Sequence, residues 1–257
     1  MRKKMLLSLG LIGLIFFLSG CTSYNEPINA ESTGIWSKYF VYPLSLTITY
    51  FAKVLGNSYG LGIIIVTFII RLILLPLNIK QLKSSQAMQE VQPELKKLQQ
   101  KYSSKDANTQ RKLQEETMAL FQKHGVNPLS GCLPVLVQMP FLIAIYHAIM
   151  RTTAIKEQSF LWFQLGQPDP YFILPIIAAA ATFLQQKLMM AGSAAGQNPQ
   201  MAVMMYMMPI MIGVFALFFP SALPLYWIVG NVFMIAQALL IRKPKITENA
   251  NPGGSKK

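Results

Sequence analysis

Five long apolar segments constrain this chain of 257 residues more than any other feature. They cover residues 59–83, 128–151, 171–191, 204–219 and 222–241, and none of them contains Asp or Glu. A helix of about 20 apolar residues is long enough to cross the hydrocarbon core of a bilayer. The sequence therefore predicts an all-α membrane protein with five transmembrane helices.

The composition argues against a soluble protein. Hydrophobic residues make up 53% of the chain and charged residues only 13%, yet the net charge is +13. Soluble domains carry about 25% charged residues. A basic nucleic-acid-binding domain would also be more polar than a mean hydropathy of +0.38. Soluble enzymes and DNA-binding proteins are therefore unfavoured, and no DNA partner is expected.

Residues 1–20 have the pattern of a signal peptide. Three cations at positions 2–4 precede an apolar stretch over residues 5–18 and two small residues. The following residue completes Leu-Ser-Gly-Cys, which resembles a bacterial lipobox. That resemblance implies cleavage before Cys21 and a lipid on its thiol. The alternative is a plain secretory signal followed by an unrelated cysteine, and either reading places residue 21 outside the membrane.

The distribution of Lys and Arg agrees with this orientation. Residues 21–58 are predicted to form an extracellular tether and an amphipathic helix in the membrane interface, because aromatic and polar residues alternate there. Residues 152–170 then form an extracellular loop, 192–203 a cytoplasmic loop and 242–257 a basic cytoplasmic tail. Most cations lie in the segments assigned to the cytoplasm, as the positive-inside rule requires.

The largest cytoplasmic segment, residues 84–127, has the pattern of a helical hairpin. Apolar residues recur in steps of three and four on both sides of a polar break at residues 103–108. Pro93 predicts that the first helix is kinked or restarts there. Two interpretations of the basic surface remain open: a solvated loop, or a face for anionic lipid headgroups or ribosomal RNA.

Arg71 is the one charge deep within an apolar segment, about 13 Å from the inner boundary at 1.5 Å per residue. Burying an arginine there costs roughly 2.5 to 3.5 kcal/mol on insertion scales. Its guanidinium either snorkels to the surface or is solvated inside the bundle. The second alternative predicts a hydrated cavity, open towards the cytoplasm, with neutral polar neighbours. The candidates for those neighbours are Thr67, Gln138, Gln185, Gln186, Tyr226, Trp227, Asn231 and Gln237.

No catalytic constellation accompanies this cation. The sequence has no phosphate-binding loop or metal-ligand cluster, and Cys132 has no evident catalytic partner. We therefore expect a protein that is not an enzyme and that uses no cofactor or metal.

Several motifs carry a resemblance to a known family. They are Ile69-Ile70-Arg71-Leu72, Pro76-Leu77 followed by Lys83-Ser84-Ser85, Met88-Gln89-Glu90-Val91-Gln92-Pro93-Glu94-Leu95-Lys96, Asn127-Pro128-Leu129, Gly131-Cys132-Leu133-Pro134, Gln138-Met139-Pro140 and Leu223-Pro224-Leu225-Tyr226-Trp227. Together they resemble the YidC/Oxa1/Alb3 membrane protein insertases, in the short lipoprotein form of Gram-positive bacteria. The resemblance implies five helices around a groove open to cytoplasm and lipid, with Arg71, Gln138 and Trp227 on the groove wall. Thr67 and Tyr226 join this set from the residue analysis.

The expected function is the insertion and folding of client membrane proteins without nucleotide hydrolysis. The positive groove would draw in the polar or acidic tail of a client. Expected partners are client proteins with short translocated tails, anionic lipid and, through the basic tail and hairpin, the Sec translocon and the ribosome. The expected location is the bacterial plasma membrane, with a lipid anchor at Cys21, the N-terminus outside and the C-terminus cytoplasmic. The alternative is a small anion or solute transporter with Arg71 as the anion site, although five unlike spans show no repeat.

Overall fold

The computed structural model describes residues 26–104, 106–127, 133–190 and 199–241. The proposed signal peptide, Cys21 and the tail at 242–257 lie outside these ranges. Over the described residues the fold is helical, with one two-stranded antiparallel hairpin. In chain order its elements are a π-helical turn (Ser37–Val41), α1 (Tyr42–Val54), α2 (Tyr59–Ile73), α3 (Leu75–Lys101), α4 (Ala107–Lys123), α5 (Leu133–Arg151), α6 (Thr153–Lys156), β1 (Ser159–Phe160), β2 (Phe163–Gln164), α7 (Ile173–Met190), α8 (Pro199–Phe218) and α9 (Ala222–Ile241).

Helix α1 packs closely along the start of α2. Its inward side chains Ile48 and Ala52 are buried, and Gly62 of α2 lies opposite them. A Cβ at Gly62 would lie 2.7 Å from the carbonyl oxygen of Ile48. Glycine is therefore needed for this approach. The opposite face exposes large apolar side chains, including Leu46 and Tyr50. A helix is thus present where the interfacial helix was expected, and its position in the membrane interface stays a prediction.

Helices α2 and α3 meet at a bend of 63°. Pro76 explains the bend, since it lacks an N–H and its ring would collide with the carbonyl of Leu72 in a continuous helix. The sequence predicted one span through residue 83 and a hairpin from residue 84. In the structure, α3 continues as one helix of 27 residues from the bend into the first arm of the hairpin.

Helix α3 also continues through Pro93, so of the two predicted alternatives, a kink or a restart, the restart is wrong and the kink stays a prediction. Val91, two residues earlier, is buried against the second arm of the hairpin. The packing of this apolar side stabilises a helix in which one backbone hydrogen bond is missing.

The main hydrophobic core joins α1, α2, α5 and α9 with the segment between α5 and α7. Its largest fully buried side chains include Ile63, Ile145, Ile149 and Tyr226. Helices α7 and α8 pack against each other where Gly213 faces Ala179. A Cβ built on Gly213 would lie 3.1 Å from the Cβ of Ala179. Small residues allow such close approaches between helices in a membrane protein.

One end of the bundle, which we call the capped end, is closed by residues 152–172. The backbone N–H groups of Ser221 and Ala222 donate to the carbonyls of Gln167 (2.7 Å) and Leu165 (3.1 Å). The ring of Phe160 lies against Gly60 at the start of α2, in the space that a side chain at position 60 would occupy. The start of α2, the start of α9 and the beginning of α7 therefore lie together at this end, which the sequence analysis predicted to be extracellular.

The hairpin of α3 and α4 lies at the opposite end. Its small core contains Val91, Leu120, Phe121 and Val126. The side-chain amide of Gln89 donates to the carbonyl of Met189, at the end of α7, over 3.3 Å. The hairpin is thus a separate packing unit that contacts the bundle at the end of α7.

Membrane-crossing capacity can be judged from length and apolarity. Within the described ranges, Ile173–Met190 and Ala222–Leu240 are long and apolar enough to cross, and the bent pair α2–α3 makes a third if it counts as one span. Met205–Phe218 is a shorter apolar helix. Helices occupy all five segments predicted to span, and the crossing of the membrane by all five stays a prediction.

Asp106 caps the start of α4, and its replacement tests the hairpin. Its carboxylate accepts a hydrogen bond from Ser104 Oγ (2.6 Å) and another from the Thr109 N–H (2.9 Å), and these bonds lower the pKa of Asp106. A lowered pKa means that the stabilisation is present above the ordinary carboxyl value of about 3.9 and is lost as pH falls through the lowered value. We expect Asp106→Ala to speed amide hydrogen exchange in the first turn of α4 at neutral pH.

Asp106→Asn is the matched control, because asparagine is also a good N-cap. It should exchange nearly as slowly as the unmodified protein at neutral pH. Equal exchange in the Ala variant and the unmodified protein would contradict a stabilising cap.

Candidate functional site

Arg71 lies in the last turn of α2 on the face that packs into the bundle. It follows Ile63 and Thr67 at successive intervals of four residues, and both of these are buried. Residues four apart share one face of a helix. The exposed side chains of the same turn, Leu72 and Ile73, lie on other faces. The helical period therefore directs the guanidinium towards the bundle interior, and Arg71 is half-buried there.

Helix α9 provides the surface on which the guanidinium rests. The Cζ of Arg71 lies 5.9 Å from the centroid of the Tyr226 ring. One turn later, Gly230 leaves space for the cation, since a Cβ there would be 3.0 Å from both Cζ and Nε of Arg71. A cation over an aromatic face gains about 0.5 to 2 kcal/mol. The ring and the glycine together accommodate the cation, and the five apolar segments contain no carboxylate to pair with it.

Tyr226 connects this surface to α5. Its side chain is fully buried, and the side-chain amide of Gln138 donates a hydrogen bond to its hydroxyl. The ring faces Arg71 while the hydroxyl faces Gln138. Residues from three helices therefore meet at Tyr226, and two of them, Arg71 and Gln138, are 67 positions apart in the chain.

Further polar side chains lie inside the bundle. Asn231 donates to Thr182 Oγ1 at 2.8 Å, and the Gln186 amide contacts the Met208 sulfur at 2.9 Å. Buried polar atoms in native proteins are nearly always hydrogen-bonded to protein or water. Five buried side-chain atoms nevertheless have no partner among the described residues: Arg71 Nε, Asn78 Nδ2, Gln81 Nε2, Gln186 Oε1 and Gln237 Oε1. The interior is therefore more polar than its apolar helices suggest.

The structure brings together three of the five residues predicted for the site, Arg71, Gln138 and Tyr226. Thr67 is fully buried, and its hydroxyl donates to the carbonyl of Ile63 at 2.6 Å. This geometry favours a packing role for Thr67. Trp227 is half-buried and packs against the main core. The places of all five residues on a groove wall stay predictions.

Gly230 is the neighbour of Arg71 that the sequence analysis missed. A glycine within an apolar helix has many possible reasons, and close packing is the usual one. The available signal was its spacing of four residues from Tyr226, which places both on one face of α9. That face could be matched to Arg71 only once the packing of α2 on α9 was known.

These features define a class of protein. Among the described residues, two helices are long and apolar enough to cross a membrane, or three spans if α2 and α3 count as one. A cation with no acidic partner in the apolar segments points into the bundle. An intramembrane charge of this kind usually marks a path for polar or charged material. The fold and site are those of a membrane-embedded helical protein with a charged side chain inside its bundle.

Comparison with known proteins gives the family. The chain belongs to the family described as 60Kd inner membrane protein, whose model matches residues 50–249. It is 63% identical to membrane protein insertase MisCA of Bacillus subtilis (strain 168), over 100% of this chain and 99% of the relative. It is 60% identical to membrane protein insertase YidC 2 of Bacillus anthracis, over the full length of both.

A solved structure is also similar. It is described as an active YidC insertase crystal structure with the first transmembrane domain resolved. The TM-score is 0.63 at 26% identity, over 82% of this chain and 47% of the longer chain. The expected resemblance to YidC-family insertases is confirmed. Family membership favours an insertase over the transporter alternative and over an enzyme.

The Gln138–Tyr226 hydrogen bond can be tested by removing one partner or both. Tyr226→Phe leaves the Gln138 amide without its acceptor and should destabilise the fold by about 1 kcal/mol. Adding Gln138→Leu should recover most of this loss, because replacing both polar partners avoids an unpaired group. The measurement is unfolding in mixed detergent micelles, with Tyr206→Phe on the exposed face of α8 as control. If the loss of stability in the double variant equals the sum of the losses in Tyr226→Phe and Gln138→Leu alone, a direct hydrogen bond between the two side chains is contradicted.

Proposed function

We propose that this protein inserts client membrane proteins by drawing a polar or acidic client tail into a groove around Arg71. The observation that carries the proposal is that Arg71 has no acidic partner in the predicted membrane segments and that its Nε has no hydrogen-bond partner among the described residues. Arg71 is half-buried, lies against Tyr226 and Gly230, and its buried Nε has no partner among the described residues. A carboxylate of a client would supply the acidic partner that the five predicted membrane segments do not contain.

The magnitudes support an electrostatic role. Placing an acidic side chain at the membrane centre costs roughly 2.5 to 3.5 kcal/mol on insertion scales. Two opposite charges 4 Å apart attract by about 4 kcal/mol at an effective dielectric of about 20. One close contact between a client carboxylate and Arg71 is therefore of the same order as the cost of placing that carboxylate in the membrane, and offsets it. The attraction assists a client tail only while the tail is partway across the membrane. It must also stay weak enough for the client to leave the groove.

The proposed groove has a polar wall and an apolar exit. Arg71, Gln138, Tyr226 and Trp227 form the wall, with Thr67 packed behind it. The groove opens to the cytoplasm and to lipid. The apolar span of the client then passes along lipid-facing side chains such as Phe68 and Leu72. Hydrophobic burial of that span drives the step, so no nucleotide is consumed.

Partners and location follow from the charge pattern. Exposed cations cover the outer surface of the hairpin, including Lys97, Lys101, Arg111 and Lys112. This surface suits anionic headgroups or ribosomal RNA, and both contacts would weaken with salt. Cooperation with the Sec translocon and the ribosome belongs to the same proposal. So do the lipid anchor at Cys21, the outside N-terminus and the cytoplasmic C-terminus in the plasma membrane.

Arg71→Ala is the direct test in liposomes containing the purified protein. We expect much weaker insertion of a single-span client with an acidic N-terminal tail, and a smaller loss for the same client with a neutral tail. Arg71→Lys should retain acidic-tail insertion if charge suffices, and lose it if the planar guanidinium is required. Protease protection of the tail measures insertion. Undiminished insertion of the acidic-tailed client by Arg71→Ala would rule out the electrostatic role.

Gly230→Ala tests whether the position of the cation matters as well as its presence. The new methyl group would occupy the space of the guanidinium and displace it from the Tyr226 ring. We expect a lower ratio of acidic-tail to neutral-tail insertion, with a smaller effect than Arg71→Ala.

Gly213→Ala on α8 is the matched control, because it also adds a methyl group to a packed helical glycine, away from Arg71. It should leave the insertion ratio unchanged. A general loss of both activities in Gly230→Ala would indicate damage to packing instead of displacement of Arg71.

A further inference from the structure

Four large side chains form an exposed cluster at the capped end, which we call the apolar rim. They are Leu161 and Trp162 at the tip of the β1–β2 hairpin, and Tyr171 and Phe172 just before α7. Their exposed fractions are 73%, 37%, 65% and 56%. Single exposed apolar side chains are common, but a cluster of this kind usually marks an interaction surface.

The backbone turns two of these side chains outward. Leu161 has φ 55° and Phe172 has φ 58°, both in the left-handed region that bulky residues rarely adopt. Each residue therefore combines an unfavourable backbone conformation with exposure of a large apolar group. Such strained residues persist where the surrounding structure holds them, and they often occur at functional sites.

Asp169 joins the two halves of the rim. Its carboxylate is 2% exposed and accepts hydrogen bonds from Trp162 Nε1 (3.1 Å), the Tyr171 N–H (3.1 Å) and the Leu174 N–H (2.6 Å). It thereby fixes the hairpin tip beside the first turn of α7. Phe163, packed edge-to-face on Trp162 at 5.4 Å, anchors the tip to the main core. The rim is thus a preformed surface.

The level of the rim follows from the length of α7. This helix has 18 residues, about 27 Å at 1.5 Å per residue, close to the hydrocarbon thickness of about 30 Å. Residues just before its start therefore lie at the boundary between lipid and water, whichever way the chain is oriented. The exposed apolar surface also continues from the rim onto Ile173 and Ile176 of α7.

We propose that the apolar rim inserts into the headgroup region of the lipid leaflet at the capped end. Its composition fits this partner, because Trp and Tyr concentrate at membrane interfaces. There the apolar part of the ring lies in lipid while the N–H or O–H keeps a hydrogen-bond partner. The Trp162 N–H is already bonded to Asp169, so the indole loses no hydrogen bond on entering lipid. The rim fixes the depth of the capped end in the membrane, independently of the proposed client groove.

Tryptophan fluorescence in vesicles tests this proposal. The chain has three tryptophans, and Trp36→Phe with Trp227→Phe leaves Trp162 as the sole emitter. In vesicles of phosphatidylcholine and phosphatidylglycerol, lipids brominated near the headgroup end of the acyl chain should quench most of its emission. Aqueous iodide should quench little of it. If that variant does not fold, the difference in quenching between the unmodified protein and Trp162→Phe reports the same contribution.

The control moves the emitter to Gln158, an exposed position at the base of the same hairpin. In the sole-emitter background, Trp162→Phe with Gln158→Trp should be quenched by iodide and little by bromolipid. Iodide quenching of Trp162 as strong as at position 158 would overturn the proposal. Protection of Trp162 from both quenchers would also overturn it, since a second copy or another protein would then cover the rim.

Discussion

The arrangement of the bundle depends on how one guanidinium is accommodated among apolar helices. Arg71 has the ring of Tyr226 on one side and the bare backbone of Gly230 beside it. A cation–π contact contributes about 0.5 to 2 kcal/mol, whereas desolvating a buried charge costs several. The contact alone therefore does not stabilise a dry cation. The half-buried position of Arg71 reflects this balance.

A second buried arginine shows the contrast between a structural and an available charge. Arg151, at the end of α5, is 4% exposed, and its guanidinium donates to Ser37 Oγ (2.7 Å) and to the carbonyl of Glu26 (2.8 Å). These bonds tie the N-terminal segment to the capped end. Arg71 Nε has no such acceptor among the described residues. Arg151 is thus satisfied within the capped end, while the unpaired polar atoms of the described residues lie in the bundle interior and towards the hairpin.

Much of the fold could be predicted because long apolar segments specify helices locally. The polar break of the hairpin, placed at residues 103–108, corresponds to a structure in which α3 ends at Lys101 and α4 begins at Ala107. The two prolines were harder to interpret. Pro76 bends the chain while Pro93 is accommodated within α3, because tertiary packing decides whether a missing hydrogen bond breaks a helix. Hydropathy also reveals neither the packed hairpin tip nor the rim that Asp169 holds.

The sequence by itself determined the helical class, the presence of a cation without an acidic partner in the apolar segments, and the motifs of an insertase family. These properties depend on composition and local spacing, which are read directly from the chain. Only the tertiary structure decided that Arg71 meets Tyr226 and Gly230, that Gln138 bonds the same tyrosine, and that Thr67 turns its hydroxyl to its own helix. These contacts join residues far apart in the chain, and they depend on the angles and depths at which helices pack, which local patterns do not specify.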